Sequence, residues 1–189
     1  MGVRTIATLL LLLPVGCATS RDAVLVPIAS PAQPADRLLA DLQSPSAVTR
    51  ATAAWALAGT VAPDQTLRNA LHTAYADPNE KVREAAAWAL GHIETGPSPG
   101  LHDEPPRAVR ITKPAYPREA YTQRIQGTVL VEILISASGA VVHAEIRRSI
   151  PALDAAALAC VKQWLFNPAR LNGRPVPTLA RAPVGFRIT

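Results

Sequence analysis

The chain has 189 residues, 49% hydrophobic and 17% charged, enough for one domain or two small ones and too apolar for wholesale disorder. Its net charge of +5 is uneven: Arg107 to the C-terminus holds twelve Lys/Arg against four Asp/Glu, while Ala18–Pro106 holds six against ten. Two cysteines, Cys17 and Cys160, exclude a disulfide framework and a cysteine metal cluster.

Met1–Gly16 carries one positive charge, Arg4, then an apolar core from Ile6 to Leu13 and small residues before Cys17. This is the layout of a secretory signal peptide over 1–16. Roughly ten apolar residues fall short of the ~20 that a bilayer span requires. Val15-Gly16-Cys17 resembles a bacterial lipobox, with Pro14 departing from the usual apolar residue. The resemblance implies that Cys17 carries a lipid anchor, and that Ala18 in place of Asp favours the outer membrane. The alternative is a plain signal peptide cut near Cys17. Residues 17–34 read as a linker.

A repeat follows. PSAVTRATAAWALAG (45–59) and PNEKVREAAAWALGH (78–92) align at an offset of 33 residues, pairing Pro45 with Pro78, Arg50 with Arg83 and the two AAWAL runs. A period in this range signals stacked helical hairpins. First helices are expected near 35–43 and 64–76, second helices near 45–58 and 78–93. Asp77 is expected to cap, with Pro78 at the first helical position. The pattern resembles HEAT-like repeats of the Ala-rich kind found in phycobilin-lyase relatives, which implies a solenoid fragment over 35–95 and no lyase chemistry. Two repeats rarely stand alone. They are expected to lean on the C-terminal module, a second copy or a partner.

Residues 96–107, rich in Pro and Gly, read as a flexible linker between separate folding units. Then the period changes to two. In TVLVEILIS (128–136) Val129, Val131, Ile133 and Ile135 share a face, and Leu130 and Leu134 make the other face partly apolar. Ala137-Ser138-Gly139 supplies a hairpin turn into AVVHAEIRRS, with Val142, Ala144 and Ile146 on one face. PALDAAALACVKQWLFNPA has helical spacing, with a stripe of Leu153, Ala156, Ala157, Cys160, Val161, Trp164 and Leu165, and Asn167-Pro168 ending it. VGFRI (184–188) reads as a third strand. The fold class expected is α+β: helical repeats, then a β-β-α-β domain with an antiparallel three-stranded sheet.

From about residue 108 to 189 the sequence resembles the C-terminal domain of TonB-family proteins. The pieces are Tyr116-Pro117, Gln126-Gly127, Ser138-Gly139, Leu153-Asp154, Trp164-x-Phe166-x-Pro168, Asn172-Gly173 and Pro183-Val184-x-Phe186. Tyr116, Pro117, Gly127, Gly139, Leu153, Asp154, Trp164, Phe166, Pro168 and Gly173 are taken as structural. Pro117 is expected to open a short helix to about Arg124, and Pro183 to mark where strand pairing starts. The resemblance implies partner binding by addition of an extended peptide to an open strand, here Pro183, Val184, Gly185, Phe186, Arg187 and Ile188, with Arg181 and Arg187 suiting an acidic partner. A TonB energy transducer also has a transmembrane helix and a long Pro-rich spacer, which are not read here. The binding module is therefore what carries over.

His72, His92, His102 and His143 show no metal-ligand spacing, Cys160 falls on the buried stripe, and no phosphate loop or informative carboxylate pair occurs. No enzyme activity, cofactor or nucleic-acid partner is expected. The leading expectation is a periplasm-facing envelope lipoprotein that binds envelope proteins, outer-membrane receptors among them. The alternative is a scaffold whose repeats bind the partner while the C-terminal domain docks or forms a homodimer.

Overall fold

The computed structural model describes residues 35–60, 63–93 and 101–188. The signal peptide, Cys17, the 17–34 linker and residues 96–100 lie outside them.

The repeat folds as two helical hairpins: α1 (Ala35–Asp41) with α2 (Ala47–Leu57), and α3 (Gln65–Tyr75) with α4 (Glu80–Ile93). The capping expectation shifts by two residues. Ser46 Oγ accepts from Thr49 N, and its repeat mate Asn79 accepts from Lys81 N at 2.9 Å, so Pro45 and Pro78 precede the helices instead of opening them. Asp77 Oδ1 accepts from Asn79 N at 2.8 Å in the turn before α4, and the same carboxylate reaches across to the first repeat. It receives Nε and Nη2 of Arg50 at 2.8 and 3.0 Å, tying the first repeat to the turn of the second. This charge-assisted pairing outweighs the opposing effect of burial and holds the Asp77 carboxyl below its ordinary range. Arg50 and Arg83 also donate to equivalent turn carbonyls, of Ser44 and Pro45 and of Asp77 and Pro78.

After Leu101 come β1 (Arg107–Arg110), α5 (Arg118–Thr122), β2 (Gly127–Ile135), β3 (Val141–Arg148), α6 (Pro151–Val161), β4 (Leu165–Asn167), β5 (Ala169–Leu171), β6 (Arg174–Val176) and β7 (Thr178–Phe186). The main sheet is antiparallel with order β3-β2-β7, as the alternating pattern predicts. The helix after β3 is shorter than its periodicity suggests. It stops at Val161, and Leu165, 38% exposed, belongs to β4, which pairs with β1. Val142 also leaves its expected face. A register shift between Leu134 and Ile135 puts Val141, Ala144 and Ile146 against the α6 core and sends Val142 to the other side.

The sheet is covered on both faces. Val129, Val131, Ile133 and Ile135 pack with Leu153, Ala157, Cys160 and Val161 of α6. On the opposite face Leu134, fully buried, joins the helical-repeat core, with Val142 and Leu179 packed against it. A Cβ on Gly91 would lie 2.4 Å from Leu179 Cδ2, so glycine lets α4 approach β7 closely. The repeats therefore lean on the C-terminal module. Residues 101–106, expected as linker, are held by both halves: Leu101 is buried in the repeat core and its carbonyl accepts from Tyr75 Oη of α3 at 3.0 Å, while Asp103 and Glu104 bond the backbone of Arg170.

Candidate functional site

β7 pairs with β2 along one side only, which leaves its other side as the free edge of the sheet. The third strand, expected over 184–188, begins earlier and ends at Phe186. The strand runs from Thr178 to Phe186, with Arg187 and Ile188 just beyond it, and Pro183 stands in its middle, opposite Leu130. Pairing continues through Pro183, so its missing N–H must face away from β2, the arrangement that admits proline to an edge strand. By the alternation of an antiparallel ladder, Leu179, Arg181, Pro183 and Gly185 then turn their backbone groups to the free edge, and Pro183 removes one donor from it.

Side chains alternate just as cleanly. Ala182, Val184 and Phe186 are buried toward α6, while Arg181, Pro183, Gly185 and Arg187 are exposed. Beside the edge lies a groove of about 430 Å³. Its floor is Ile133, Ala180, Ala182 and Val184, its end is Trp164 with Phe166, and its far wall is the extended segment Ile111-Thr112-Lys113-Pro114. That wall is fixed from behind. Thr112 O accepts from Trp164 Nε1 at 3.2 Å and from Cys160 Sγ at 3.1 Å. Farther along, Tyr116 donates to Ile125 O at 2.6 Å and meets Phe186 edge-on at 5.5 Å. The wall thus runs alongside β7 from Ala180 toward Phe186. The slot between them has an apolar floor, a free backbone edge, and Lys113 and Arg181 at its sides.

The other motif residues shape this frame. Pro117 precedes α5 as its cap residue, donating no N–H, and α5 is shorter than expected. Gly127 (φ +152) enters β2 against Ile150. Gly139 (φ +87) has no room for a Cβ, which would meet Phe166 O at 1.8 Å. Leu153 is fully buried, and Asp154 accepts from Ile150 N at 2.8 Å to start α6. Pro168 lies near Gly139, and Asn172-Gly173, both at positive φ, turn β5 into β6.

Behind the edge, on the repeat side, sits a charged cluster that sequence reasoning missed. Glu132, opposite Arg181 in β2, is 4% exposed. It meets Arg147 of β3, His92 Nε2 of α4 at 3.2 Å and Arg181 Nε at 3.8 Å. Burial disfavours its charge, but the bonds from His92 and Arg147 prevail and lower its pKa. His92 Nδ1 donates to Trp88 O at 2.8 Å, so only the imidazolium can also donate from Nε2 to the carboxylate. Despite burial, those partners raise the His92 pKa. Next to it, His143 of β3 packs tilted against Trp55 and edge-on to Trp88, and burial lowers its pKa. The signal for this cluster was present. A single Glu interrupts an otherwise apolar strand on the Leu130/Leu134 face, and such a charge demands partners.

Fold and slot together make a small α+β domain with a groove beside its free strand edge, packed on a helical-repeat layer. Residues 112–188 match the family described as Gram-negative bacterial TonB protein C-terminal, and residues 35–111 match HEAT repeats. Among curated relatives, Protein TonB of Vibrio cholerae is 34% identical over 113 residues, covering 59% of this chain and 45% of that protein. Protein TonB of Xanthomonas campestris pv. campestris is 30% identical over 80 residues, covering 41% and 36%. The chain thus spans less than half the length of these relatives. The solution NMR structure of the Pseudomonas aeruginosa TonB CTD covers 46% of this chain and 89% of that one, at 27% identity and a TM-score of 0.39.

Proposed function

We propose that this chain is a non-enzymatic cell-envelope protein that binds an extended, acidic segment of an envelope partner by strand addition to β7, with outer-membrane receptors as the candidate partner class. The observation that carries this reading is the slot: a free strand edge beside an apolar groove that Lys113 and Arg181 also border, with Arg187 just beyond the end of the strand. Backbone hydrogen bonds supply affinity in this mode, and the groove supplies choice of side chain. A second copy of the chain is a poorer occupant, because it would bring two basic edges together. A link to TonB-type transport follows from the family match. Among the described residues no helix is long and apolar enough to cross a membrane. Attachment through a lipid on Cys17 is part of the proposal, and Cys17→Ser is expected to move the protein from the membrane to the soluble periplasmic fraction.

The alternative, partner binding by the repeats, has less surface to use. Repeat solenoids bind through an extended face of stacked helices. Here α4 is buried between its neighbours and the sheet, and Trp55 of α2 faces His143. Gly185→Pro separates the two readings. Gly185 faces the free edge, a Cβ there meets nothing within 4 Å, and the preceding residue is already extended. The variant removes a free-edge donor and leaves the β2 ladder intact. With a synthetic peptide of alternating Val and Asp, amide shifts are expected along 179–185 and lost in Gly185→Pro. Shifts gathered on α1–α3 would transfer the function to the repeats.

A further inference from the structure

The charge behind the edge goes further than a general preference for acid. Arg181 stands directly opposite Glu132, and residues directly opposite in an antiparallel pair project on the same face. That face is the repeat side, where Glu132 meets His92 and Arg147. Arg181 Nε is 3.8 Å from Glu132 Oε1, yet its side chain remains 72% exposed. Its root is therefore placed by a buried carboxylate, while its outer nitrogens are open to solvent at the free edge. Glu132 does not neutralise it. That carboxylate already answers Arg147 and the His92 imidazolium, so the local balance is positive. Glu145, opposite Glu132 on β3, lies two strands from β7, about 10 Å away.

A strand added to β7 has its side-chain directions fixed by the pleat. The residue opposite Arg181 projects on the Arg181 face. Its two neighbours project on the other face, into the groove floored by Ile133, Ala180 and Ala182. This holds whichever way the added strand runs. We propose that the slot selects an acidic residue flanked on both sides by apolar residues, and that Arg181, positioned by Glu132, reads the acid. The inference rests on the strand-addition reading above. It adds one specificity-determining residue and a three-residue pattern, and it gives the repeat layer a positioning role, because His92 of α4 helps to hold Glu132 charged in place.

The test uses the full chain and three synthetic, end-blocked heptapeptides, titrated calorimetrically at low salt. Their sequences are TTVDVTT, TTVNVTT and TVTDTVT. The first satisfies both requirements, the second removes the charge, and the third keeps the acid but places its apolar residues on the same face as the acid. Slipping the third peptide by one residue cannot help it, since a slip exchanges the faces of all its side chains together. The first peptide is expected to bind roughly tenfold more tightly than either other, the scale of a charge-assisted hydrogen bond. Arg181→Gln should remove the preference for Asp over Asn. Arg187→Gln should keep most of the preference. Equal binding of Asp and Asn peptides by the unaltered chain, a preference that survives Arg181→Gln, or equal binding of the third peptide would each overturn the pattern while leaving strand addition in place. If none of the peptides binds, strand addition at β7 fails and the pattern fails with it.

Discussion

Replacing Leu134 with Ala tests whether the repeats and the sheet share one core. Leu134 lies on the face of β2 turned away from α6, it is fully buried, and its surroundings are the apolar side chains of the repeat layer. If that layer covers it, truncation leaves a cavity and should cost about 3 kcal/mol, the lower part of the range for buried Leu→Ala. For a chain of this size that corresponds to a fall in thermal midpoint of roughly 6–12 °C. Val48→Ala is the control. Val48 is 64% exposed on α2, and its truncation should change stability by no more than about 0.5 kcal/mol. Circular dichroism melts of both variants, read alongside urea unfolding, provide the comparison. A Leu134→Ala shift as small as that of Val48→Ala would mean that the second face of the sheet is wet, and it would refute the shared core. It would also revive the expectation of two folding units joined by a flexible linker.

The His92–Glu132 pair should make docking of α4 pH-dependent. The raised His92 pKa gives a contribution fully present below the ordinary imidazole value of 6.5 and lost as pH rises through the raised value. The lowered Glu132 pKa gives one present above 4.5 and lost as pH falls through the lowered value, and His143 likewise contributes above 6.5 and loses its part as pH falls. His92→Gln should therefore destabilise most near about pH 6 and least near about pH 9, and a gap that widens with pH would contradict the imidazolium assignment. Gly139→Ala forces a Cβ onto Phe166 O at positive φ and should cost about 2–3 kcal/mol, whereas Gly173→Ala, with open space around it, should cost only about 1 kcal/mol; similar losses in urea melts would argue against the Gly139–Phe166 contact. Thr178 has a buried hydroxyl with no hydrogen-bond partner, so Thr178→Val should raise stability by about 1 kcal/mol, and a loss of midpoint would reveal a partner.

The parts of the fold that were legible in the sequence are those where one period persists. The 33-residue offset placed both helical hairpins, because each repeats the same caps, arginines and small-residue face. Alternation over 128–136 placed β2 and its core face. What failed was local. The Ala-rich stripe after Pro151 continued on paper to Leu165, but Lys162 and Gln163 are exposed, and the backbone there turns to let β4 meet β1. Short strands β1, β4, β5 and β6 hold three or four residues each, too few for a period to show. The start of β7 was hidden by Pro177 and Pro183, which read as breakers, yet a proline whose missing donor faces a free edge breaks nothing. The slot itself was half visible. The basic edge was legible, but its far wall at 111–114 has no regular structure and is held by contacts with Cys160 and Trp164, which no local pattern announces.

The apolar second face of β2 decides how the two halves relate. In TVLVEILIS the positions that alternate away from α6 are Leu130, Glu132 and Leu134, and an exposed face would ordinarily be polar there. Leu134 and Leu179 instead need cover, and α4 needs it too, since two repeats alone expose an Ala-rich helix face. Each half hides what the other cannot. Glu132 in the middle of that contact then acts as a register pin, because a carboxylate buried there is tolerable only when His92 and Arg147 arrive together. With both faces of the sheet covered and β2 central, its unpaired backbone is confined to its two outer strands. β3 is bent by its bulges and carries Arg147 and Arg148 at its far end. β7 pairs with β2 without interruption over nine residues and has a groove beside it, and it is there that an added strand finds both a straight ladder and a place for its side chains.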